Sequence, residues 1–185
     1  MVSKNKRLLQ RVRVPLGFLF GILFLVFARP GWLSLGIGGG IAVIGILIRA
    51  WASGHIRKNR ELAVSGPYAY TRNPLYLGSF LLGTGFTAAS GFWWIPILFC
   101  ILFLGIYLPV MNVEKVDLKG LFGKAYDEYA EHVPLFFPRL TAWKKSGEKF
   151  DFQLYLNYRE YRAALGLIFA LGILAAKVIF FKIGV

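Results

Sequence analysis

PLYLGSFLLGTGFTAASGFWWIPILFCILFLGIYLPVMNV, residues 74–113, runs for forty positions without a charged side chain. A bilayer core about 30 Å thick takes roughly 20 mostly apolar residues per helical crossing. The run therefore has the length of two crossings. Its centre, Ala88-Ala89-Ser90-Gly91, is small and turn-forming. The pattern predicts two helices, about 74–89 and 92–112, joined as a tight hairpin.

Working outward, residues 30–48 form another uncharged run between Arg29 and Arg49, with Trp32 and Trp51 near its ends as interface anchors. Residues 163–181 are apolar except for Lys177, whose long stem can snorkel. Residues 15–28 are apolar but short. That first run also fits a cleavable signal peptide, with five basic residues before it and Val26-Phe27-Ala28 after it. A retained helix agrees better with the topology. The composition points the same way: 185 residues, 57% hydrophobic and 17% charged, with mean hydropathy +0.58. A single soluble domain of this size cannot bury that much apolar surface. The expectation is an all-α, polytopic membrane protein of one domain over 1–185, with about five transmembrane helices.

The net charge of +13 is a matter of orientation. With five crossings, nineteen of the 22 Lys and Arg fall on one side, in the N-terminal arm and the segments 49–73 and 114–162. Only Arg29, Lys177 and Lys182 fall on the other. The positive-inside rule then puts the N-terminus and those segments in the cytoplasm and the C-terminus outside. Anionic lipid, not nucleic acid, is the expected partner of the basic excess. Eight of the nine acids lie between Glu114 and Glu160, so a site is expected on the cytoplasmic face. A single cysteine, Cys100, excludes an internal disulfide. His55 and His132 are not spaced as a metal pair, and no metal is expected.

Four features stand out. Gly36-Ile37-Gly38-Gly39-Gly40 lies inside an uncharged run, where Gly36 and Gly40 have the small-xxx-small spacing of close helix packing. Gly66-Pro67-Tyr68-Ala69-Tyr70-Thr71-Arg72-Asn73-Pro74-Leu75-Tyr76-Leu77-Gly78 packs tyrosines, an arginine and an asparagine against two prolines at the start of a crossing. Interface anchoring needs fewer. Glu114 is the first charge after forty neutral residues, and equal hairpin arms bring it near Arg72, Asn73 and Tyr76. Finally, Leu118, Phe122, Ala125 and Tyr129 predict a surface helix, and Val133-Pro134-Leu135-Phe136-Phe137-Pro138-Arg139 reads as a rigid segment returning to the membrane as a lid. Asp151 is placed to cap a further interfacial helix carrying Leu154, Tyr158 and Tyr161.

Taken in order, these motifs resemble the isoprenylcysteine carboxyl methyltransferase and phospholipid methyltransferase family of integral-membrane enzymes. The family pattern runs Gly-Pro-Tyr, Arg-His-Pro-x-Tyr-x-Gly, a charge-free hairpin, Glu-Glu-x-x-x-Leu, Phe-Gly-x-x-Tyr-x-x-Tyr, Val-Pro and a last Pro. Gly66-Pro67-Tyr68, Arg72-Asn73-Pro74-Leu75-Tyr76-Leu77-Gly78, Glu114, Leu118, Phe122-Gly123, Tyr126, Tyr129, Val133-Pro134 and Pro138 match it, and Arg49-Ala50-Trp51-Ala52 also looks like the family. The likeness covers about residues 40–140 and leaves a C-terminal helix, about 162–182, outside. Asn73 stands where the family has histidine, and Lys115 where it has a second glutamate. An asparagine can hydrogen-bond a cofactor but cannot titrate.

The resemblance implies S-adenosyl-L-methionine as cofactor and a lipid or prenylated acceptor. It implies cofactor binding by Tyr68, Arg72, Asn73, Tyr76, Gly78, Glu114 and Tyr126. Arg72 would pair with the cofactor carboxylate and Glu114 with its ammonium. Arg49 and Arg139 are the candidates for holding an anionic acceptor head group. Carboxyl O-methylation and phospholipid N-methylation are both compatible with the family. A sterol-type double-bond reductase using NADPH shares part of the pattern, but such enzymes look to carry an acid where this chain has Ser79. A transporter or structural protein would need polar groups mid-span, and the hairpin offers only Ser79, Thr84, Thr87 and similar weak groups.

Overall fold

The computed structural model describes residue 24 and residues 26–57, 60–144 and 148–182. Among them there is no strand. The helices are α1 (Trp32–Ser53), α2 (Pro74–Ala88), α3 (Trp94–Phe122), α4 (Lys124–His132), α5 (Phe152–Asn157) and α6 (Tyr161–Lys182), with a 3-10 turn at Gly66–Ala69. Three of them, α1, α3 and α6, are long and apolar enough to cross a membrane. The protein is thus a helical membrane protein, as the composition requires. The expected first crossing at 15–28, and the signal-peptide alternative, lie mostly outside the described residues.

Each break has a local cause. Pro74 starts α2, where its missing N–H costs nothing. The hairpin turns where the sequence is small: α2 ends at Ala88, Gly91 takes φ +83° and α3 begins at Trp94. α2 has 15 residues, about 22 Å at 1.5 Å per residue, short of a full bilayer core. α3 has 29, about 43 Å by the same rise, so the two arms are unequal. The surface helix expected over 118–129 is therefore two pieces. Its first half continues α3, and Gly123, at φ +53° and ψ −127°, makes the corner into α4. Asp151 caps α5 as expected, its Oδ1 accepting from the N–H groups of Gln153 and Leu154. The helix stops at Asn157, however, because Arg159 takes φ +56°. Tyr158 and Tyr161 are consequently not on it.

The three long helices and the shorter α2 pack in the order α6, α1, α2, α3. The closest approach is α1 on α2, through glycines at sevenfold spacing on both. A Cβ on Gly45 would lie 2.6 Å from the Gly78 carbonyl oxygen, and one on Gly85 would lie 2.5 Å from that of Gly38. Close packing through the glycine run is found, but not through Gly36 and Gly40, which have nothing within 4 Å. At 3.6 residues per turn those two sit about 160° around the helix from Gly38. Gly38 and Gly45 share one stripe; Gly36 and Gly40 face away from it. At the far end, Lys177 Nζ donates to the Ala28 carbonyl at 2.8 Å, which engages the one charge within the apolar stretch 163–181.

Candidate functional site

The end of the hairpin that carries Glu114 opens into a cavity of about 600 Å³, within the range of small-ligand sites. Its walls come from the end of α1, Ile56 and residues 61–63, the 68–79 motif, one face of α3 and the turn before α6. On α3, Tyr107, Glu114, Asp117, Leu118 and Leu121 recur at helical spacing and all line it. The length of α3 matters here. The part beyond about 30 Å extends past the apolar crossing and carries the acids.

The 69–73 backbone is held from behind. The Arg72 N–H donates to the Pro134 carbonyl at 2.9 Å, and Arg139 and Trp143 N–H groups donate to the carbonyls of Tyr70 and Ala69, both at 3.0 Å. Thr71 Oγ1 donates to the Phe136 carbonyl at 2.8 Å, and Asn73 Nδ2 donates to that of Leu135 at 2.9 Å. Tyr129 Oη donates to the Tyr68 carbonyl at 2.7 Å. The segment 133–139 thus backs the site instead of covering it; none of its residues lines the cavity.

Arg49, Tyr68, Arg72, Asn73, Tyr76 and Glu114 line the one cavity. Tyr76 Oη donates to Glu114 Oε1 at 2.8 Å, and its ring lies 5.3 Å from that of Tyr107. Arg72 Nη1 donates to Tyr126 Oη at 3.3 Å. Tyr126 itself is fully buried behind Arg72 and does not reach the cavity. Gly78 lies at the helix crossing, against the Gly45 carbonyl and the Arg49 stem. Arg139 lies away from the cavity, its Nη1 donating to the His132 carbonyl at 2.9 Å. Asn73 is at the wall, but its amide N–H is committed to Leu135.

Among the described residues, two side-chain polar atoms are buried without a hydrogen-bond partner: Tyr68 Oη and Arg72 Nε. Both residues line the cavity. Such orphans are rare in native interiors. Burial, reinforced by Tyr129, Tyr158, Glu160 and Glu114, pushes the Tyr68 hydroxyl well above the ordinary tyrosine range. It stays a protonated donor. Burial also raises Tyr129, with Arg72 opposing.

Residues absent from the sequence expectation complete the wall. Glu160 accepts from Arg49 Nε at 2.9 Å and Nη2 at 2.8 Å, and Arg49 Nη1 also donates to Ser79 Oγ. Glu61 and Asp117 line the opposite part. The pair of Arg49 and Glu160 joins residues 111 positions apart, and no local spacing announces it.

Beside the cavity, Ser65 Oγ donates to Glu148 Oε2 at 2.5 Å and lies 3.0 Å from His55 Nδ1. With the hydroxyl proton committed to Glu148, Nδ1–H is the donor to Ser65. Burial lowers the His55 pKa from its ordinary value, Glu148 partly opposing. The native state therefore favours neutral imidazole. Stability from this site is present above the ordinary pKa of about 6.5 and is lost as the pH falls through the lowered native value. Thermal unfolding in detergent between pH 7.5 and 5.0 is expected to show a fall in midpoint below about pH 6.5 that is weaker in His55→Gln. An identical fall in both proteins would rule His55 out.

The family model for phospholipid methyltransferase matches residues 33–125. The chain is 31% identical over 137 residues to the cobalt-zinc-cadmium resistance protein CzcN of Cupriavidus metallidurans, covering 68% of this chain and 62% of that protein. It is 28% identical to the nickel-cobalt-cadmium resistance protein NccN of Alcaligenes xylosoxydans xylosoxydans, over 66% of this chain and 62% of that one. It is 26% identical to the protein-S-isoprenylcysteine O-methyltransferase of Schizosaccharomyces pombe, over 69% and 56%. The chain spans about three fifths of the length of these relatives. No solved structure matches it. The matched residues run from α1 through the hairpin to Glu114 and the start of α4, and on that ground the chain belongs to the phospholipid methyltransferase family.

Proposed function

We propose that the protein is an S-adenosyl-L-methionine-dependent methyltransferase of the membrane, acting on a lipid or lipidated acceptor. The observation that carries this reading is one cavity lined by Arg72, Glu114 and Tyr68, with Tyr68 Oη and Arg72 Nε buried and unpartnered. The donor set fits the cofactor. Arg72, with Nε unpaired, suits its carboxylate, and Glu114 and Asp117 suit its ammonium. Tyrosine faces at Tyr76 and Tyr107 suit a cationic sulfonium. When bound, that group supplies an electrophilic methyl carbon. The protein's part is to align the acceptor and keep water out, since in-line displacement depends on alignment more than on a strong base. That fits Asn73, which cannot titrate.

The proposed topology has five crossings with the cavity in the cytoplasm. It rests on the positive-inside count and on the clustering of acids at the Glu114 end of α3. NADPH fits the cavity poorly. Four carboxylates line it against two guanidiniums, and one guanidinium is already paired. A dinucleotide carrying a 2′-phosphate would meet net repulsion.

Calorimetric titration of S-adenosylhomocysteine into the full chain in detergent is the test. Saturable binding at micromolar concentration is expected, with transfer of labelled methyl from S-adenosylmethionine into a lipid extract. Binding of NADPH, with none of S-adenosylhomocysteine, would overturn the proposal.

A further inference from the structure

We propose that Glu160 is a specificity-determining residue. By neutralising Arg49 it makes the cavity select an acceptor whose reacting end carries no negative charge. The proposal rests on the methyltransferase reading and deepens it.

Glu160 comes from outside the family-matched residues, in the turn between α5 and α6. That turn is strained: Arg159 takes φ +56°, a conformation that non-glycine residues adopt at a cost and that clusters at functional sites. The turn delivers the carboxylate to the cavity wall, where it meets Arg49 side-on through both oxygens. The Arg49 side chain is 23% exposed and that of Glu160 14%. Remaining Arg49 donors go to Ser79 Oγ and the Leu75 carbonyl. The cation that sequence reading assigns to an anionic head group is thus already engaged by this chain's own carboxylate.

Among the described residues that line the cavity, Glu61, Glu114, Asp117 and Glu160 stand against Arg49 and Arg72; with Glu61 paired to Arg57 at 3.1 Å, one negative charge is in excess. Among the described lining residues, Arg72 is the cation left to meet the cofactor carboxylate. A carboxylate-headed acceptor would have to break the bidentate pair or add a further anion to this wall. Like charge at a partly desolvated site is a common means of rejecting wrong partners. An amine or a neutral head group meets no such barrier.

The experiment uses two acceptor analogues with one prenyl tail: S-prenylated cysteamine, ending in an amine, and S-prenylated 3-mercaptopropionate, ending in a carboxylate. Their Kd values are measured on the full chain in detergent without cofactor, and KM and kcat with it. The wild type is expected to favour the amine by about tenfold or more. Glu160→Gln frees Arg49 and lowers that ratio by about tenfold. Arg49→Gln leaves Glu160 alone and raises it. The double variant, with the original charge balance, returns it to near the wild-type value. A purely structural role would shift all three variants the same way, so any variant that folds is informative. Binding of S-adenosylhomocysteine is followed in parallel. A ratio unchanged in the variants, with that binding intact, overturns the role of Glu160 and leaves the methyltransferase reading standing. Absence of that binding in the wild type overturns both.

Discussion

Glu114→Ala loses S-adenosylhomocysteine affinity by about two orders of magnitude, and Arg72→Ala by a similar factor. Glu114 sits at the boundary of the longest crossing, on the cavity wall, with its carboxylate oriented by the Tyr76 hydroxyl at 2.8 Å. Removing it deprives a bound ammonium of its counter-ion and leaves Tyr76 Oη without this acceptor. Truncating one partner of a charged, partly desolvated pair typically costs about 2–5 kcal/mol, and each 1.4 kcal/mol is about tenfold in Kd. Arg72, also on the cavity wall, carries the complementary charge, with Nε buried and without a hydrogen-bond partner. Tyr126→Phe gives the graded control. It removes only the 3.3 Å contact behind Arg72, and a smaller loss, about tenfold, is expected because that contact is long and acts on the cofactor only through Arg72. Titration calorimetry reads all three. Unchanged affinity in both Glu114→Ala and Arg72→Ala would place the cofactor elsewhere.

The second large effect is on assembly. Gly85→Ala is expected to destabilise the protein by about 3 kcal/mol or more, at or above the top of the usual range for overpacking. Its new Cβ would meet the Gly38 carbonyl oxygen at 2.5 Å and Ala42 Cα at 2.9 Å, both backbone atoms with no freedom to turn aside. Gly40→Ala is the control. It has open space and gains helix propensity worth roughly 1 kcal/mol. Thermal unfolding in detergent should separate the two by several degrees. Equal midpoints would mean that the α1–α2 crossing is looser than described. The consequence reaches the site, because the same crossing seats Gly78 against the Arg49 stem.

Much of the architecture was legible from residues alone. The charge-free run, its small central turn, Pro74 as a helix start and Asp151 as a cap are local signals, and each acts within a few residues. The 72–76 and Glu114 features were legible for the same reason. They are the polar groups at the two ends of one uncharged hairpin, and a hairpin has to bring its ends together. Asn73 was half legible. Its place at the cavity wall follows from its neighbours, but the commitment of its amide to Leu135 depends on where residues 133–139 return. Gly36 and Gly40 show the limit of a spacing rule. Two small-residue stripes existed on one helix, and only the partner helix selects between them.

Composition and charge order, by themselves, determined a helical membrane protein with its acids gathered at one end. Hydrocarbon tolerates few charges, so their positions along the chain record where the crossings stop. The tertiary structure alone decided which charges face one another. Arg49 with Glu160, and Thr71 and Asn73 with the carbonyls of 135 and 136, are contacts between segments far apart in sequence. Such pairs are set by how helices cross and where loops return, which no local periodicity encodes.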